Sequence, residues 1–72
     1  MHNTIGSERT RLGLSQDQLG EMMGKDRATI GRWEKNPGIV DGAALIKLSQ
    51  IFGCTVDYLL NLTPERTPRV VA

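Results

Sequence analysis

Capping residues and glycines cut this chain into short helical segments, and that punctuation constrains the fold more than any other feature of the sequence. Ser15 opens one segment, and Gln18, three residues on, completes a capping box in which the two side chains satisfy backbone N–H groups of the first turn. Asp26, Asp41 and Thr55 stand as caps of three more. Gly13, Gly24 and Gly53 follow segment ends, where glycine accepts the left-handed backbone that closes a helix. Asn36-Pro37-Gly38 is a turn. The predicted helices are therefore 4–12, 16–23, a third capped by Asp26 and running to about Lys35, a fourth capped by Asp41 and running to Phe52, and a fifth from Val56 to about Asn61. No stretch alternates with period two over strand length, and no internal repeat is visible. The reading is all-α with five short helices: a domain over 1–62 and a flexible tail over 63–72, where two prolines break any periodicity.

At 72 residues there is room for one small domain, not for a barrel or a doubly wound dinucleotide-binding fold. A domain of this size buries only about 60% of its extended-chain surface, so it depends on dense helix packing, metals, disulfides or association. Cys54 is the single cysteine; it forms no intramolecular disulfide, suits a reducing cytoplasm and reads as a small buried residue. Cys54 and the near-terminal His2 do not make a zinc site, so no metal or cofactor is expected. Apolar stretches reach three or four residues, which predicts neither a signal peptide nor a membrane span. No nucleophile constellation and no phosphate-cradling glycine loop is present, which argues against an enzyme, and no small-molecule ligand is evident.

The net charge of +1 is uninformative until the charges are sorted by face. At about 100° per residue, Leu19, Met22 and Met23 share one arc of helix two, and Asp17 and Glu21 lie on the other side. Ile5 and Leu12 point helix one toward the core. In helix three Thr29, Ile30 and Trp33 share an inner arc, while Arg27, Ala28, Gly31, Arg32 and Lys35 fill the opposite one, with three cations and no anion. Ala44, Leu45, Leu48, Ile51 and Phe52 form the stripe of helix four; Val56, Leu59 and Leu60 form that of helix five. Trp33 reads as core rather than as a base-stacking platform, and the methionines as core fillers.

Two short helices joined by Met23-Gly24-Lys25-Asp26, the second exposing small and cationic residues, have helix-turn-helix geometry. Arg and Lys neutralise phosphates, and Arg also bonds guanine bidentately in the major groove. The small residues Ala28 and Gly31 let such a helix approach base edges. Gln16 lies at a helix N-terminus, where a phosphate is favoured. Gly20, on the inner flank of helix two, is expected to let helix three cross closely.

These residues resemble a known family. Leu14-Ser15-Gln16, Leu19, Gly24, Thr29-Ile30-Gly31-Arg32-Trp33-Glu34 and Phe52 through Leu60 look like the Cro/repressor-type (XRE-like) helix-turn-helix family over residues 5 to 61. The resemblance implies a compact five-helix, lambda-repressor-like fold with helix three as recognition helix. It also implies phosphate contact at Gln16, base readout from Arg27, Ala28 and Arg32, and Thr29 near the backbone. It further implies an Arg9–Glu34 ion pair and binding, usually as a dimer, to palindromic double-stranded operators. The chain departs from the pattern at Gly20, mostly Ala in the family, and at Glu8, commonly apolar, where looser packing of helix one is expected. It departs again at Ile39-Val40-Asp41-Gly42, which carries an acid and no base. Gly31 and Lys35 complete the expected contact face.

Tyr58 and Leu62, with Ile46 on helix four, are apolar groups left off the buried stripes, and they are the expected surface of a weak homodimer formed on DNA. The reading is a sequence-specific DNA-binding regulator, a small phage-like or mobile-element repressor in the cytoplasm. The alternative is an antitoxin-like protein-binding module of the same fold, against which stands the shortness and low apolar content of the tail.

Overall fold

The computed structural model describes residues 3–67; His2 and residues 68–72, the end of the predicted tail, lie outside the described residues. Five α-helices and one 3-10 turn make up the described chain: α1 (Thr4–Arg11), α2 (Gln16–Met23), α3 (Arg27–Lys35), the 3-10 turn Pro37–Ile39, α4 (Gly42–Phe52) and α5 (Val56–Leu59). Every predicted cap is in use. The Gln18 N–H donates to Ser15 Oγ at 3.0 Å and the Ser15 N–H to Gln18 Oε1 at 2.7 Å, so both halves of the box are formed. Asp26, Asp41 and Thr55 accept from the N–H groups of Thr29, Ala44 and Tyr58.

Ile5, Leu19, Ile30, Leu48 and Leu59, one from each helix, have no solvent exposure and meet in a single core. Burying side chains of this kind stabilises by about 1.5–3 kcal/mol each. Trp33 and Cys54 are buried with them, and the Thr4 hydroxyl donates to the Leu59 carbonyl at 2.8 Å, tying α1 to α5. None of these helices, among the described residues, is long and apolar enough to cross a membrane.

Several expectations are corrected. Leu12 and Met22 are 41% and 43% exposed rather than in the core. α1 ends at Arg11, so Leu12 lies past its last turn, where the chain swings away at Gly13. In α2 the buried residues are Leu19, Gly20 and Met23, an arc whose centre stands about 100° from Met22. Gly20 draws the arc toward itself. A Cβ there would lie 2.5 Å from the Lys25 carbonyl oxygen, and the Lys25 N–H donates to the Gly20 carbonyl at 2.8 Å. The close approach is thus made by the turn before α3 rather than by α3 itself. α5 stops at Leu59, because Asn61 takes a left-handed conformation (φ 62°) and the Leu62 N–H closes back on the Asp57 carbonyl.

Glu8 does not loosen α1. It is 3% exposed and receives two guanidinium groups, from Arg11 at 3.1 Å and Arg66 at 2.5 Å. Arg66 and Arg11 also donate to the Phe52 carbonyl, one of the open acceptors at the end of α4. The first residues of the predicted tail therefore return to the domain, where Thr55 N–H also bonds the Arg66 carbonyl.

Candidate nucleic-acid interface

The candidate interface is built from α2, a three-residue link and α3. Gly24, at φ 68°, closes α2, and Asp26 in extended conformation opens α3 two residues later, so the chain reverses with every cap satisfied. α3 then sorts its residues sharply. Ile30, Trp33 and Glu34 are buried, whereas Arg27, Ala28, Arg32 and Lys35 are exposed and Gly31 is half-buried.

Gln16, in the first turn of α2, is half-buried beside that face; its Nε2 is the nearest group to a Cβ built on Gly31, at 3.8 Å. The two helices enclose an open cleft of about 630 Å³ lined by Asn3, Gln16, Ala28, Gly31, Arg32, Glu34 and Lys35. A second cleft of about 380 Å³ shares Gln16 and is lined by Arg9, Ser15, Asp17 and Arg27. The structure thus brings together Gln16, Arg27, Ala28, Gly31, Arg32 and Lys35 along one concave face.

The carboxylates of α3 and of its cap, Glu34 and Asp26, are both engaged, while Asp17 is exposed at the edge of the second cleft. Arg9 Nε donates to Glu34 Oε2 at 2.9 Å, and the pair is largely buried, with 19% and 7% of the side chains exposed. The Asp26 carboxyl is held below the usual carboxylate range by its hydrogen bonds with the Thr29 side chain and backbone N–H, with the Arg32 charge contributing. Thr29 is half-buried and its hydroxyl accepts from Arg32 Nη2 at 3.0 Å. The outer face of α3 is left with a positive balance and a small-residue floor.

Asn3 is the residue that sequence reasoning missed. Its Oδ1 accepts from Gly6 N–H at 2.9 Å, capping α1, and its Nδ2 donates to Glu34 Oε1 at 3.3 Å. The cap was legible as an Asn just before the first helical residues; the reach to Glu34 was not.

Of the residues expected at a dimer surface, Tyr58 and Leu62 line one cleft of about 540 Å³ with Thr4, Ser7 and Pro64. Leu62 is 72% exposed, whereas Tyr58 is half-buried because it also packs on the core. Ile46 is 55% exposed on α4 and does not line that cleft. Among the described residues no group of three or more His, Cys, Asp or Glu is placed to hold a metal ion.

Residues 5–59 match the family described as helix-turn-helix. Repressor protein C2 of Salmonella phage P22 is 35% identical over 61 residues, which cover 85% of this chain and 28% of that protein. An uncharacterized HTH-type transcriptional regulator of Sinorhizobium medicae (strain WSM419) is 35% identical over 60 residues, 83% of this chain and 43% of that protein. A regulator of the same description from Rhizobium meliloti (strain 1021) matches to the same extent. The chain thus spans less than half the length of these relatives. No solved structure matches it significantly.

Proposed function

This chain belongs to the helix-turn-helix family, and on that premise we propose that it is a sequence-specific double-stranded DNA-binding transcriptional regulator, a phage-like or mobile-element repressor whose α3 enters the major groove. The observation that carries the reading is the sorting of charge on α3. Arg27, Arg32 and Lys35 are exposed around Ala28 and Gly31, while the one carboxylate late in the helix, Glu34, is turned inward onto Arg9. A helix that only needed a solvated face would have no reason to keep its floor at methyl size and its acid underneath.

On this reading Gln16 and Lys35 hold phosphates on either flank, and Arg27, in the first turn of α3, reaches deepest toward base edges. Arg32 reads from about 140° round the same face. Ala28 and Gly31 meet the groove floor or a thymine methyl. Two copies on a palindromic operator would satisfy the two-fold geometry of such sites, and the apolar groups Tyr58 and Leu62, together with Ile46 on α4, are the proposed contact between them.

Selection of bound duplex from a random library, followed by a salt titration on the selected site, tests the proposal. The expected result is a recoverable, two-fold related sequence whose log affinity falls with log salt by about 0.9 per neutralised phosphate. Failure to enrich any duplex, together with a protein partner whose binding hardly responds to salt, overturns it in favour of a protein-binding module.

A further inference from the structure

Arg32, the central cation of the proposed reading face, is not loose in solution. Its Nη2 donates to Thr29 Oγ1, one turn back, at 3.0 Å, and the Thr29 N–H donates to Asp26 Oδ1 at 2.8 Å. A hydroxyl has one proton to give and lone pairs to receive. Thr29 accepts from Arg32 with its hydroxyl and donates its backbone N–H to Asp26, so residues 26, 29 and 32 are linked along one edge of α3.

We propose that Thr29 is a positioning residue for Arg32, its hydroxyl holding the guanidinium toward the N-terminal, base-facing end of α3. The proposal rests on the reading of α3 as the recognition helix and departs from the resemblance, which places Thr29 beside the DNA backbone. Three physical points support it. A guanidinium carries five N–H donors, so the one given to Thr29 leaves a full pair for the O6 and N7 acceptors of guanine. A long side chain already tied down is ordered before binding, and less of the contact is lost to immobilising it. The Asp26 carboxylate at the same edge repels a phosphate but not a neutral base, so it biases Arg32 toward base edges.

The test compares the whole chain with Thr29→Val, Thr29→Ser and Arg32→Ala on the selected duplex and on each of its single-base-pair variants, across a range of salt. Thr29→Val keeps the volume and the backbone cap on Asp26 while removing the hydroxyl. It should weaken discrimination at the base pair read by Arg32 by about three- to tenfold, the worth of one hydrogen bond. Affinity for unrelated DNA and the salt slope should not move, the change should vanish in an Arg32→Ala background, and Thr29→Ser should behave as wild type. In the DNA-free protein, an NMR titration should find the Asp26 carboxyl nearer its ordinary value in Thr29→Val, whatever α3 does on DNA. Uniform weakening on all duplexes with a slope shallower by about one would make Thr29 a phosphate contact and overturn the proposal. So would an effect that adds to that of Arg32→Ala. Arg32→Ala with wild-type discrimination overturns the proposal while leaving Arg27 to carry the reading, and a library that yields no duplex removes both.

Discussion

Arg9 and Glu34, 25 positions apart, are joined end to end: Arg9 Nε donates to Glu34 Oε2 at 2.9 Å and Nη2 to Oε1 at 3.4 Å, while Nη1 reaches the Leu14 carbonyl at 2.8 Å. One guanidinium therefore fastens α1 to the end of α3 and to the turn that leads into α2. Since Asn3 takes the other side of Glu34, the position of the proposed recognition face relative to the N-terminus of α2 is set by a polar clamp beneath it.

Arg9→Ala tests the strength of that clamp. It strands a carboxylate that is 7% exposed, and removal of one partner from a buried pair costs about 3–5 kcal/mol. For a domain of this size the thermal midpoint should fall by roughly 12 °C or more. A loss under about 1 kcal/mol would show that the pair behaves as a surface pair.

Position 20 and position 31 should respond oppositely to the same substitution. Alanine gains about 1 kcal/mol over glycine inside a helix, but at Gly20 the new methyl meets the Lys25 backbone carbonyl at 2.5 Å, and at Gly31 it meets only the flexible Gln16 amide at 3.8 Å. Gly20→Ala is expected to destabilise by about 1–3 kcal/mol, as overpacking does, and Gly31→Ala to stabilise slightly. Urea midpoints of the two variants measure this, and a more stable Gly20→Ala protein would refute the close contact.

Gly31→Glu should fold and fail to bind. The space above Gly31 accommodates a side chain without disturbing the core, yet the variant sets bulk and negative charge on the proposed contact face. Arg27→Ala, by contrast, should keep non-specific binding and lose about 1–3 kcal/mol of preference at one base pair per half-site. Full operator affinity in a folded Gly31→Glu protein would mean that α3 does not enter the groove.

Acid should release the C-terminal segment. The Arg66 hydrogen bond, with smaller help from Arg11, holds the Glu8 carboxyl below its ordinary value of 4.5 despite the opposing effect of burial. A folded pKa below the unfolded one gives stability that is fully present above about pH 4.5 and is lost as pH falls through the folded value. Urea melts between pH 7 and pH 2 should show that decline in the wild type. Arg66→Gln should be less stable at pH 7 and should show a shallower decline; an identical pH profile in the variant would remove Arg66 as the cause.

Leu62→Ser is the variant that isolates the proposed dimer contact. Tyr58 packs partly on the core, so Tyr58→Ser mixes folding with association, whereas Leu62 is 72% exposed. The expected outcome is reduced cooperativity on a palindromic site with an unchanged melting curve. Unchanged cooperativity would place the contact elsewhere.

The positions of the helices were legible because capping is local. Ser15 with Gln18, and Asp26, Asp41 and Thr55 each with the residue three further on, settle their hydrogen bonds within a single turn, and an apolar residue every three or four positions gives the inward side. Sorting of cations onto the outer arc of α3 follows from the same arithmetic, which is why most of the candidate face could be named from residues alone. Misplaced were Met22 and Leu12, whose burial depends on where a helix meets its neighbours and where it stops.

Tertiary structure decided the fate of the charges. Glu8 and Glu34 are both carboxylates on short amphipathic helices, and nothing within one turn of Glu34 supplies its partners; they come from Arg9 and Asn3, 25 and 31 residues away, and the tighter of the two partners of Glu8 is Arg66, 58 residues away. Local periodicity registers a charge as a sign on a wheel. Whether that charge is solvated, buried in a clamp or presented to a ligand depends on which distant guanidinium the packed core brings within 3 Å, because the cost of taking a carboxylate out of water is met only by a partner at hydrogen-bonding distance.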